Sequence, residues 1–374
     1  MTRKQGRFVI CALRTYSGIG GLQNFNRRLI ENLAARTLQR SESCPLVFVL
    51  GDDVKSIPAI KGVDIIGVGD RWSFSFHAIW AALKQGNIFV ICHVNLLPLA
   101  AIVKCLRPKM PILLFVHGYE VWNDPLHHAK RWYETWFVRA LTRIVSVSSF
   151  TANTMAREFD VPRTKFRLLP NAVDPLQAPP DSIAQEPATI LTVTRLSSSE
   201  RDKNVDRMIR AVARLKEKLP GIRYEIIGDG ALRPELEALA RDLGVGDIVT
   251  FLGCVDNSAL HAAYARATVF ALLSSKEGFG IVYLEAWQRG LPVLCSAKGA
   301  SKEIISDGVD GLVVDPSDIS NIADRLHLLL TDPDLAKAMG ERGRHKIAEK
   351  YLNPAFRSTL DKIVDELLED AERA

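Results

Sequence analysis

A chain of 374 residues is too long for one ordinary hydrophobic core, so we expect two domains. Its composition, 47% hydrophobic and 24% charged with no low-complexity tract, is that of a soluble globular protein. Residues 1–174 carry 23 Lys and Arg against 12 Asp and Glu, whereas the remainder is acidic. The basic half favours an anionic partner, either a membrane surface or a phosphorylated substrate, with solvated surface charge as the alternative. Nucleic acid is disfavoured because no recognised binding motif accompanies the charge.

Apolar runs rich in Val and Ile alternate with segments of helical periodicity along the whole chain. In the first half the predicted strands are 7–13, 46–50, 64–68, 88–92, 111–116, 143–148 and 166–170. In the second half they are 189–196, 222–228, 247–253, 268–275, 292–296 and 311–315. Helices are predicted between several of them, for example over 21–36 and 127–142. Continuously apolar strands separated by helices predict parallel sheets that are covered on both faces.

The break between the two halves is the segment 171–188, which holds four prolines and no hydrophobic periodicity. We therefore predict an N-terminal domain over 1–174, a linker over 175–187 and a C-terminal domain over 188–352. Each domain is predicted to be an α/β, Rossmann-like, doubly wound sheet. The two are expected to face each other across a cleft.

One apolar stretch, residues 88–106, resembles a membrane-spanning helix at first sight. His93, Asn95, Pro98 and Lys104 interrupt it, whereas a span needs about 20 predominantly apolar residues. We predict a buried strand, a short loop and a core helix instead. The apolar run near the N-terminus is too short for a signal peptide, which favours a cytoplasmic location.

Two carboxylates, Glu277 and Glu285, flank a glycine pair where a strand end leads into a helix. Eight residues of helix would separate their Cα atoms by about 12 Å, which disfavours joint action on one glycosidic bond. We expect each carboxylate to grip a different part of one long ligand, because a carboxylate accepts two hydrogen bonds from the vicinal diol of a sugar or ribose. Gly278 and Gly280 would let the backbone approach that ligand closely.

Two cations follow the first predicted strand of the second domain. Arg195 comes directly after that strand, and Lys203 comes shortly before the next helix. A guanidinium and an ammonium on one loop can converge on a diphosphate and stabilise a departing charged group. A basic loop that is merely solvated is the alternative.

A glycine-rich loop with Gly18, Gly20 and Gly21 joins the first strand to the first helix. The spacing after Gly20 breaks the dinucleotide-binding pattern G-x-G-x-x-G, so the loop is a weak indicator of NAD binding. Two interpretations stay open. Either the loop approaches a phosphate at the helix N-terminus, or its glycines serve a tight turn.

His93 and Asn95 lie at a strand end of the first domain, where ligand contact and a structural role are both open. The segment 130–143 interleaves aromatic and basic residues. That composition suits either an interfacial helix touching anionic lipid or a buried amphipathic core helix.

Segments along nearly the whole chain share one resemblance. They include "SGIGGLQNF", "FVHGYEVW", "VSVSSFTANTM", "RLLPNAVDP", "TVTRL", "SSKEGFGIVYLEAWQRGLPV" and "DGVDGLVVDP". Their combination resembles the family 4 retaining glycosyltransferases, which have the two-domain GT-B fold. The resemblance also implies that the C-terminal helix, residues 353–374, packs back on the N-terminal domain.

The resemblance implies a donor site centred on the C-terminal domain. Glu285 would bind the hydroxyls of the nucleotide ribose, and Glu277 would bind those of the donor sugar. The backbone of Gly278, Phe279 and Gly280 would line the sugar and phosphate.

Further positions follow from the same resemblance. Arg195 and Lys203 would hold the diphosphate, so that no metal or other cofactor is needed, and Gly20 and Gly21 would close from the other domain. His117 would lie beside the reacting face of the donor sugar, with a core or hydrogen-bonding role as the alternative. The ligand that His93 and Asn95 could contact would be the acceptor, with a structural role as the alternative. The leaving diphosphate would help to deprotonate the acceptor on the same face; the alternative is that Glu277 acts as a covalent nucleophile.

The resulting functional prediction is a retaining hexosyltransferase that uses GDP-mannose or a UDP-hexose. The "HGYEVW" segment is similar to exopolysaccharide transferases, so we expect a role in bacterial surface polysaccharide synthesis, of exopolysaccharide or lipopolysaccharide. The acceptor would be a lipid-linked saccharide, and the basic N-terminal domain would sit peripherally on the cytoplasmic face of the inner membrane. Two alternatives stay open: a sugar-nucleotide epimerase of the same fold, and a non-catalytic nucleotide-sugar-binding assembly partner.

Overall fold

The computed structural model describes residues 7–18, 20–176 and 188–373, without the side chains of 371–373. The chain divides into two compact units. The N-terminal unit comprises Met1–Asn171 and Pro354–Ala374, and the C-terminal unit comprises Ala172–Asn353. The predicted linker over 175–187 lies outside the described residues from position 177 onward.

The N-terminal unit is built on a seven-stranded sheet with the order β3-β2-β1-β4-β5-β6-β7. Its strands are β1 Phe8–Leu13, β2 Leu46–Leu50, β3 Asp64–Val68, β4 Ile88–Ile91, β5 Ile112–Val116, β6 Arg143–Ser146 and β7 Phe166–Leu168. Its helices up to this point are α1 Gly21–Arg40, α2 Arg71–Lys84, α3 Leu97–Leu106, α4 Glu134–Ala140 and α5 Ser149–Glu158. All neighbouring strands run parallel, and Cys11 of β1 lies opposite Phe48 of β2 and Ile91 of β4.

The C-terminal unit is built on a six-stranded sheet with the order β10-β9-β8-β11-β12-β13. Its strands are β8 Thr189–Val193, β9 Arg223–Ile227, β10 Val249–Gly253, β11 Val269–Leu272, β12 Val293–Ser296 and β13 Gly311–Val314. Its helices are α6 Val205–Leu215, α7 Arg233–Asp242, α8 Asn257–Arg266, α9 Ile281–Gln288, α10 Ser301–Ile304, α11 Ile319–Thr331 and α12 Pro333–Lys350. These strands are also parallel, and Leu191 of β8 lies between Glu225 of β9 and Phe270 of β11.

The last helix, α13 Asn353–Arg373, packs within the N-terminal unit. Arg36 of α1, whose side chain is 2% exposed, donates hydrogen bonds to Asp361 at 3.1 Å and to Asp365 at 2.6 Å. The ring of Phe356 meets that of Phe25 at 5.5 Å. A buried guanidinium is costly unless it is paired, so these carboxylates fasten α13 to α1.

The boundary between the units falls three residues before position 174. Residues 172–174 lie in the C-terminal unit, where the N–H of Val173 donates to the carbonyl of Tyr351 at 2.8 Å.

The predicted strands all form. Central strands such as β4 and β5 stand out in the sequence because they are apolar runs that are buried on both faces. The largest difference concerns 268–275, of which only Val269–Leu272 is strand. The carbonyl of Leu273 instead accepts a hydrogen bond from the side chain of Asn204, which draws the chain into a loop.

The prediction of a helix over 127–142 is wrong for its first half. The helix begins only at Glu134 and ends at Ala140. Upstream, the side chain of Asn123 accepts a hydrogen bond from the N–H of Lys130 at 2.9 Å. Such bonds between side chains and the backbone compete with helix formation, and hydrophobic periodicity does not reveal them.

The apolar stretch 88–106 forms β4, a single 3-10 turn and α3. Among the described residues no helix combines the length and apolar character that crossing a bilayer requires.

The strand order reverses once in each sheet, between β1 and β4 and between β8 and β11. In open parallel sheets, ligands bind beyond the carboxyl ends of the strands at this reversal. The glycine-rich loop follows β1 and His93 follows β4 in the N-terminal unit. Arg195 and Lys203 follow β8, and Glu277 follows β11, in the C-terminal unit. The topology thus places most of the predicted site residues at these two switch points.

Candidate active site

Two loops at the switch point of the C-terminal unit are tied together by hydrogen bonds. The amide of Asn204 donates to the carbonyl of Leu273 at 2.6 Å and to the hydroxyl of Ser275 at 2.8 Å. The N–H of Ser275 donates to the carbonyl of Asp202 at 2.7 Å. Asn204 adopts a left-handed conformation with φ 55°, which asparagine tolerates better than most residues. The loop after β8 is therefore fixed against the loop after β11.

This arrangement brings Lys203 and Glu277 into direct contact. The Nζ of Lys203 lies 3.0 Å from Oε2 of Glu277. The two side chains are 11% and 16% exposed, so the pair is largely shielded from water. Removing either partner would leave a poorly solvated charge. The sequence placed both residues at one ligand site but did not predict their ion pair.

Two glycines hold the backbone around Glu277. Gly280, at the start of α9, has φ 90°, and a Cβ there would lie 2.4 Å from the ring of Tyr283. Gly299 has φ 71°, and a Cβ there would lie 2.8 Å from the backbone nitrogen of Glu277. Any side chain at either position would displace the loop. The next residue, Ala300, has φ −83° and donates its N–H to the carbonyl of Glu277, so this position accepts alanine without strain.

The predicted backbone contacts lie in the same turn. Gly278, Phe279 and Gly280 are all buried. The ring of Phe279 packs at 5.9 Å from that of Tyr351, in the interior of the unit. The ring therefore anchors the turn, and its role toward a ligand stays a prediction for the backbone.

Glu285 has a partner of its own, one helical turn into α9. Its Oε2 accepts a hydrogen bond from the hydroxyl of Tyr264 at 2.9 Å. Burial raises the pKa of Glu285, against the opposing effects of that hydrogen bond and of Arg289. The guanidinium of Arg289 lies 4.6 Å from the centre of the Tyr264 ring. Glu277 and Glu285 thus have different partners. This fits two carboxylates that bind different parts of one ligand. Sequence reasoning missed Tyr264, since a lone tyrosine on a helix carries no motif.

Arg195 presents its charge differently from Lys203. Its side chain is 77% exposed and donates to the carboxylate of Glu200, which is itself only 2% exposed. The other oxygen of Glu200 is buried and has no hydrogen-bond partner among the described residues. Arg195 is therefore oriented by a buried carboxylate while its guanidinium faces solvent.

His117 lies directly after β5, the strand next to β4 at the switch point of the N-terminal unit. Its N–H donates to the carboxylate of Glu120, and its ring meets that of Phe25 edge-on at 4.7 Å. Its Nε2 is buried and has no hydrogen-bond partner among the described residues. Burial lowers the pKa of His117 to about 4; Glu120 opposes this shift and His93 adds to it. The imidazole is therefore neutral at pH 7 and keeps one polar atom unpaired.

His93 and Asn95 lie beside it, after β4. The Nδ1 of His93 accepts the N–H of Asn95 at 3.1 Å and caps a 3-10 turn, while Asn95 itself is exposed. Burial lowers the pKa of His93, against Glu120 and together with His128. The structural role left open for His93 is thus observed, and acceptor contact stays a prediction. Sequence reasoning missed His128, whose Nε2 lies 3.0 Å from the carboxylate of Glu134; the pair "HH" at 127–128 was the available signal.

The glycine-rich loop is clamped by Asp52, another residue that sequence reasoning missed. This carboxylate, 5% exposed, accepts the N–H groups of Thr15 at 2.9 Å, Tyr16 at 2.7 Å and Ser17 at 3.1 Å, and the hydroxyl of Ser17 at 2.6 Å. Arg27 of α1 binds the carbonyls of the same loop, at Thr15 and Gly18. The loop is thus held from both sides.

Packing of the described residues does not explain Gly20 and Gly21 at the start of α1. Among those residues, a Cβ at Gly21 would meet nothing within 4 Å, and one at Gly20 would meet only the side chain of Gln23. The backbone of Gly20 is extended, with φ 160°, a conformation that any residue adopts. Ligand approach, one of the two interpretations of this loop, therefore explains them better than a tight turn.

The buried state of His117 predicts a pH dependence of stability. Its pKa of about 4 in the folded protein compares with about 6.5 in an unfolded chain, so the unfolded chain binds the proton more readily. Stability is therefore lost as the pH falls through this interval, by about 2 kcal/mol between pH 7 and pH 5 for this group. Urea unfolding at both pH values should show a smaller loss for His117→Gln than for the wild type. Equal losses would contradict the buried neutral state.

Two family sequence models match consecutive parts of the chain. The one described as "Glycosyltransferase Family 4" matches residues 19–176, and the one described as "Glycosyl transferases group 1" matches residues 176–346. Together they match residues 19–346, which include the loops after β4, β8 and β11.

Known proteins agree with these matches. The chain is 32% identical over 261 residues to the GDP-mannose-dependent alpha-(1-6)-phosphatidylinositol monomannoside mannosyltransferase of Mycobacterium tuberculosis, covering 64% of this chain and 66% of that protein, just under two thirds. It is 32% identical over 170 residues to the lipopolysaccharide core biosynthesis glycosyltransferase LpsE of Rhizobium meliloti, covering 46% and 48%.

Solved structures show the fold. The apo lipopolysaccharide outer core galactosyltransferase WaaB superposes with a TM-score of 0.74 at 18% identity, covering 96% of this chain and 99% of that one. HepE of Anabaena in complex with UDP superposes with a TM-score of 0.75 at 15% identity, covering 96% and 100%. With two parallel α/β sheets, the predicted fold class is confirmed. The chain belongs to the family 4 glycosyltransferases of the GT-B fold.

Proposed function

We propose that the protein transfers a hexosyl group from a nucleoside diphosphate sugar to a saccharide acceptor, with retention at the anomeric carbon. The observation that carries this proposal is the arrangement of the C-terminal switch point. There, two separately held carboxylates, Glu277 and Glu285, lie on the turn after β11 and on α9. Two cations, Arg195 and Lys203, lie on the loop that follows β8. A nucleotide sugar offers two diols joined by a diphosphate, which is the complementary pattern.

Each group of the site has one task in this proposal. Glu285, oriented by Tyr264, accepts hydrogen bonds from the ribose hydroxyls. Glu277, held by Lys203 and by the glycine turn, accepts those of the sugar. The exposed Arg195 and the buried Lys203 bind the diphosphate and stabilise the negative charge that develops on it as it leaves. Because cations of the protein supply this charge, the reaction needs no metal or other cofactor.

The transfer itself is a substitution at the anomeric carbon. The bond from that carbon to the diphosphate oxygen breaks, and a bond to the acceptor oxygen forms on the same face. The leaving diphosphate takes the proton of the acceptor hydroxyl. His117, neutral at pH 7 because burial lowers its pKa to about 4, offers a hydrogen bond rather than a charge.

The names of the relatives support the finer parts of the proposal. One acts with GDP-mannose on a phosphatidylinositol mannoside, another serves lipopolysaccharide core synthesis, and a structural neighbour binds UDP. We therefore propose GDP-mannose or a UDP-hexose as donor and a lipid-linked saccharide as acceptor. The enzyme would act in bacterial surface polysaccharide synthesis, peripherally on the cytoplasmic face of the inner membrane.

A nucleotide screen by thermal unfolding tests the donor site. Ligand at a hundred times its Kd stabilises the folded state by about 2.7 kcal/mol, so one of UDP, GDP or ADP is expected to raise the Tm by several degrees. The shift should persist in EDTA and vanish in Glu285→Ala, which removes the ribose contact. Glu217→Ala, at an exposed position of the same unit, serves as the control. A folded wild type that no nucleotide stabilises would overturn the proposed function.

A further inference from the structure

Helix α2 exposes a row of three aromatic side chains. Trp72 is 88% exposed, Phe76 66% and Trp80 48%. Residues four apart lie on the same side of a helix, so the three rings form one row. The opposite side of α2 is also apolar, with Phe74 and Ala78 buried in the core of the unit. A helix that is apolar on both sides is expected to be covered on both sides.

The two neighbouring helices extend this surface. Helix α3 contacts α2 on one side and α4 on the other. On α3, Ile102 is 44% and Leu106 57% exposed; at α4, Trp132 is 86% and Trp136 71% exposed. We call this surface the aromatic face; it consists of Trp72, Phe76, Trp80, Ile102, Leu106, Trp132 and Trp136.

The aromatic face concentrates a residue type that is usually buried. Four of the six tryptophans of the chain lie on it, while Trp122 and Trp287 are buried. Scattered single apolar residues on a surface are ordinary, but their concentration on helices that contact one another indicates an interaction site. Tryptophan is also the side chain most typical of the water–lipid boundary, where its ring meets headgroups.

The charged residues of α2, α3 and α4 are mostly basic. The basic residues of α2, α3 and α4 are Arg71, Lys84, Lys104 and Arg139, of which Arg139 is paired with the exposed Asp160. The single acidic residue within the three described helices is Glu134, which is 1% exposed and bonded to His128. The exposed carboxylate of Asp70, at the N-cap of α2, accepts the N–H groups of Trp72 and Ser73. Basic residues therefore outnumber exposed carboxylates at these helices. Basic side chains beside inserted rings are the pattern of a helix lying in the plane of an anionic membrane.

We propose that the aromatic face docks on an anionic phospholipid bilayer, with the rings of Trp72, Phe76 and Trp80 inserted at headgroup depth. The proposal rests on the proposed function, because a lipid-linked acceptor would be reached at the surface of the bilayer. It deepens that function by naming the surface of the protein that binds the bilayer. It also places the main membrane contact on α2, which carries the longest row of exposed aromatic side chains, instead of on the segment 130–143. That segment has a mixed role, with Trp132 and Trp136 exposed while Val138 is buried in the core.

Vesicle sedimentation tests the docking. The wild type is expected to co-sediment with phosphatidylcholine vesicles that contain phosphatidylglycerol, and weakly with phosphatidylcholine alone. The variant Trp72→Ser/Phe76→Ser/Trp80→Ser should partition about tenfold or more weakly, because apolar burial drives insertion. Its Tm should be unchanged, since the replaced rings are exposed. The control Leu243→Ser/Val309→Ser/Leu328→Ser replaces exposed apolar residues of the C-terminal unit and should bind as the wild type does.

Two further measurements separate docking from its alternatives. Brominated lipids should quench the tryptophan fluorescence of the wild type, which simple adsorption by charge would not cause. Arg71→Glu/Lys84→Glu should weaken binding to anionic vesicles by about fivefold per charge and leave binding to neutral ones unchanged. Equal sedimentation of the wild type and the triple aromatic variant, or absent quenching, would overturn the proposal. So would a dimeric wild type with a monomeric triple variant, which would make a second copy of the chain the occupant.

Failure of the docking and failure of the proposed function are distinguishable. Nucleotide stabilisation of the C-terminal unit does not depend on the aromatic face. A protein that is stabilised by a nucleotide but ignores vesicles would refute only the docking. A protein that binds vesicles but no nucleotide would refute the proposed function and leave the surface assignment standing.

Discussion

Lys203→Met is expected to lower kcat/KM about a thousandfold, the effect of removing a group aimed at developing charge. Two causes combine. The diphosphate loses its buried cation, and Glu277 loses the partner that lies 3.0 Å away in a pair only 11% and 16% exposed. The second cause also lowers the free energy of unfolding, by about 3 kcal/mol. Steady-state kinetics and urea unfolding of the same sample measure both losses.

The double variant Lys203→Met/Glu277→Gln separates the two causes. It removes both charges, so most of the lost stability should return while activity stays low. Arg201→Met is the matched control, because Arg201 lies on the same loop in a pair with Glu235 that is 63% and 58% exposed. Such an exposed pair contributes little to stability. A Lys203→Met enzyme with unchanged kcat/KM would refute the role assigned to this residue.

Asp52→Ala is expected to lower the free energy of unfolding by about 3 kcal/mol, since buried N–H groups that lose their acceptor keep their full desolvation cost. The carboxylate accepts four hydrogen bonds from Thr15, Tyr16 and Ser17. Burial alone would raise the pKa of Asp52, but these hydrogen bonds outweigh it and lower the pKa. The contribution is therefore complete at neutral pH and is lost only as the pH falls below the unfolded value of about 4.

The next residue provides the control. Asp53 is exposed and caps a short 3-10 turn through the N–H of Lys55, so Asp53→Ala should cost about 1 kcal/mol or less. Hydrogen exchange of the glycine-rich loop should accelerate in Asp52→Ala and not in Asp53→Ala. Equal stability of the two variants would contradict the clamp.

The sheets could be predicted from the sequence because both faces of each are covered. A strand such as β4, Ile88–Ile91, is then a continuous apolar run that is bounded by polar residues. Helix ends were harder, as the start at Glu134 shows, because hydrogen bonds from single side chains decide them.

The sequence could predict which residues belong to the site but not the contacts between them. The motif around Glu277 marked the right loop, but its pair with Lys203 spans 74 positions and depends on the left-handed turn at Asn204. The role of Asp52 could not be predicted, because a single carboxylate after a strand forms no recognisable sequence pattern. The aromatic row on α2 could not be recognised in the sequence, because apolar residues on two sides of a helix are also typical of a helix in the core.

The position of α13 has a consequence for the order in which the protein is made. The N-terminal unit is completed by Pro354–Ala374, which leaves the ribosome only after the whole C-terminal unit. Until then Arg36 lacks Asp361 and Asp365, and Phe25 lacks Phe356. The C-terminal unit, translated second, is the first whose sequence is complete. The half of the protein that is synthesised first must therefore wait through the synthesis of the other half before it can close its own core.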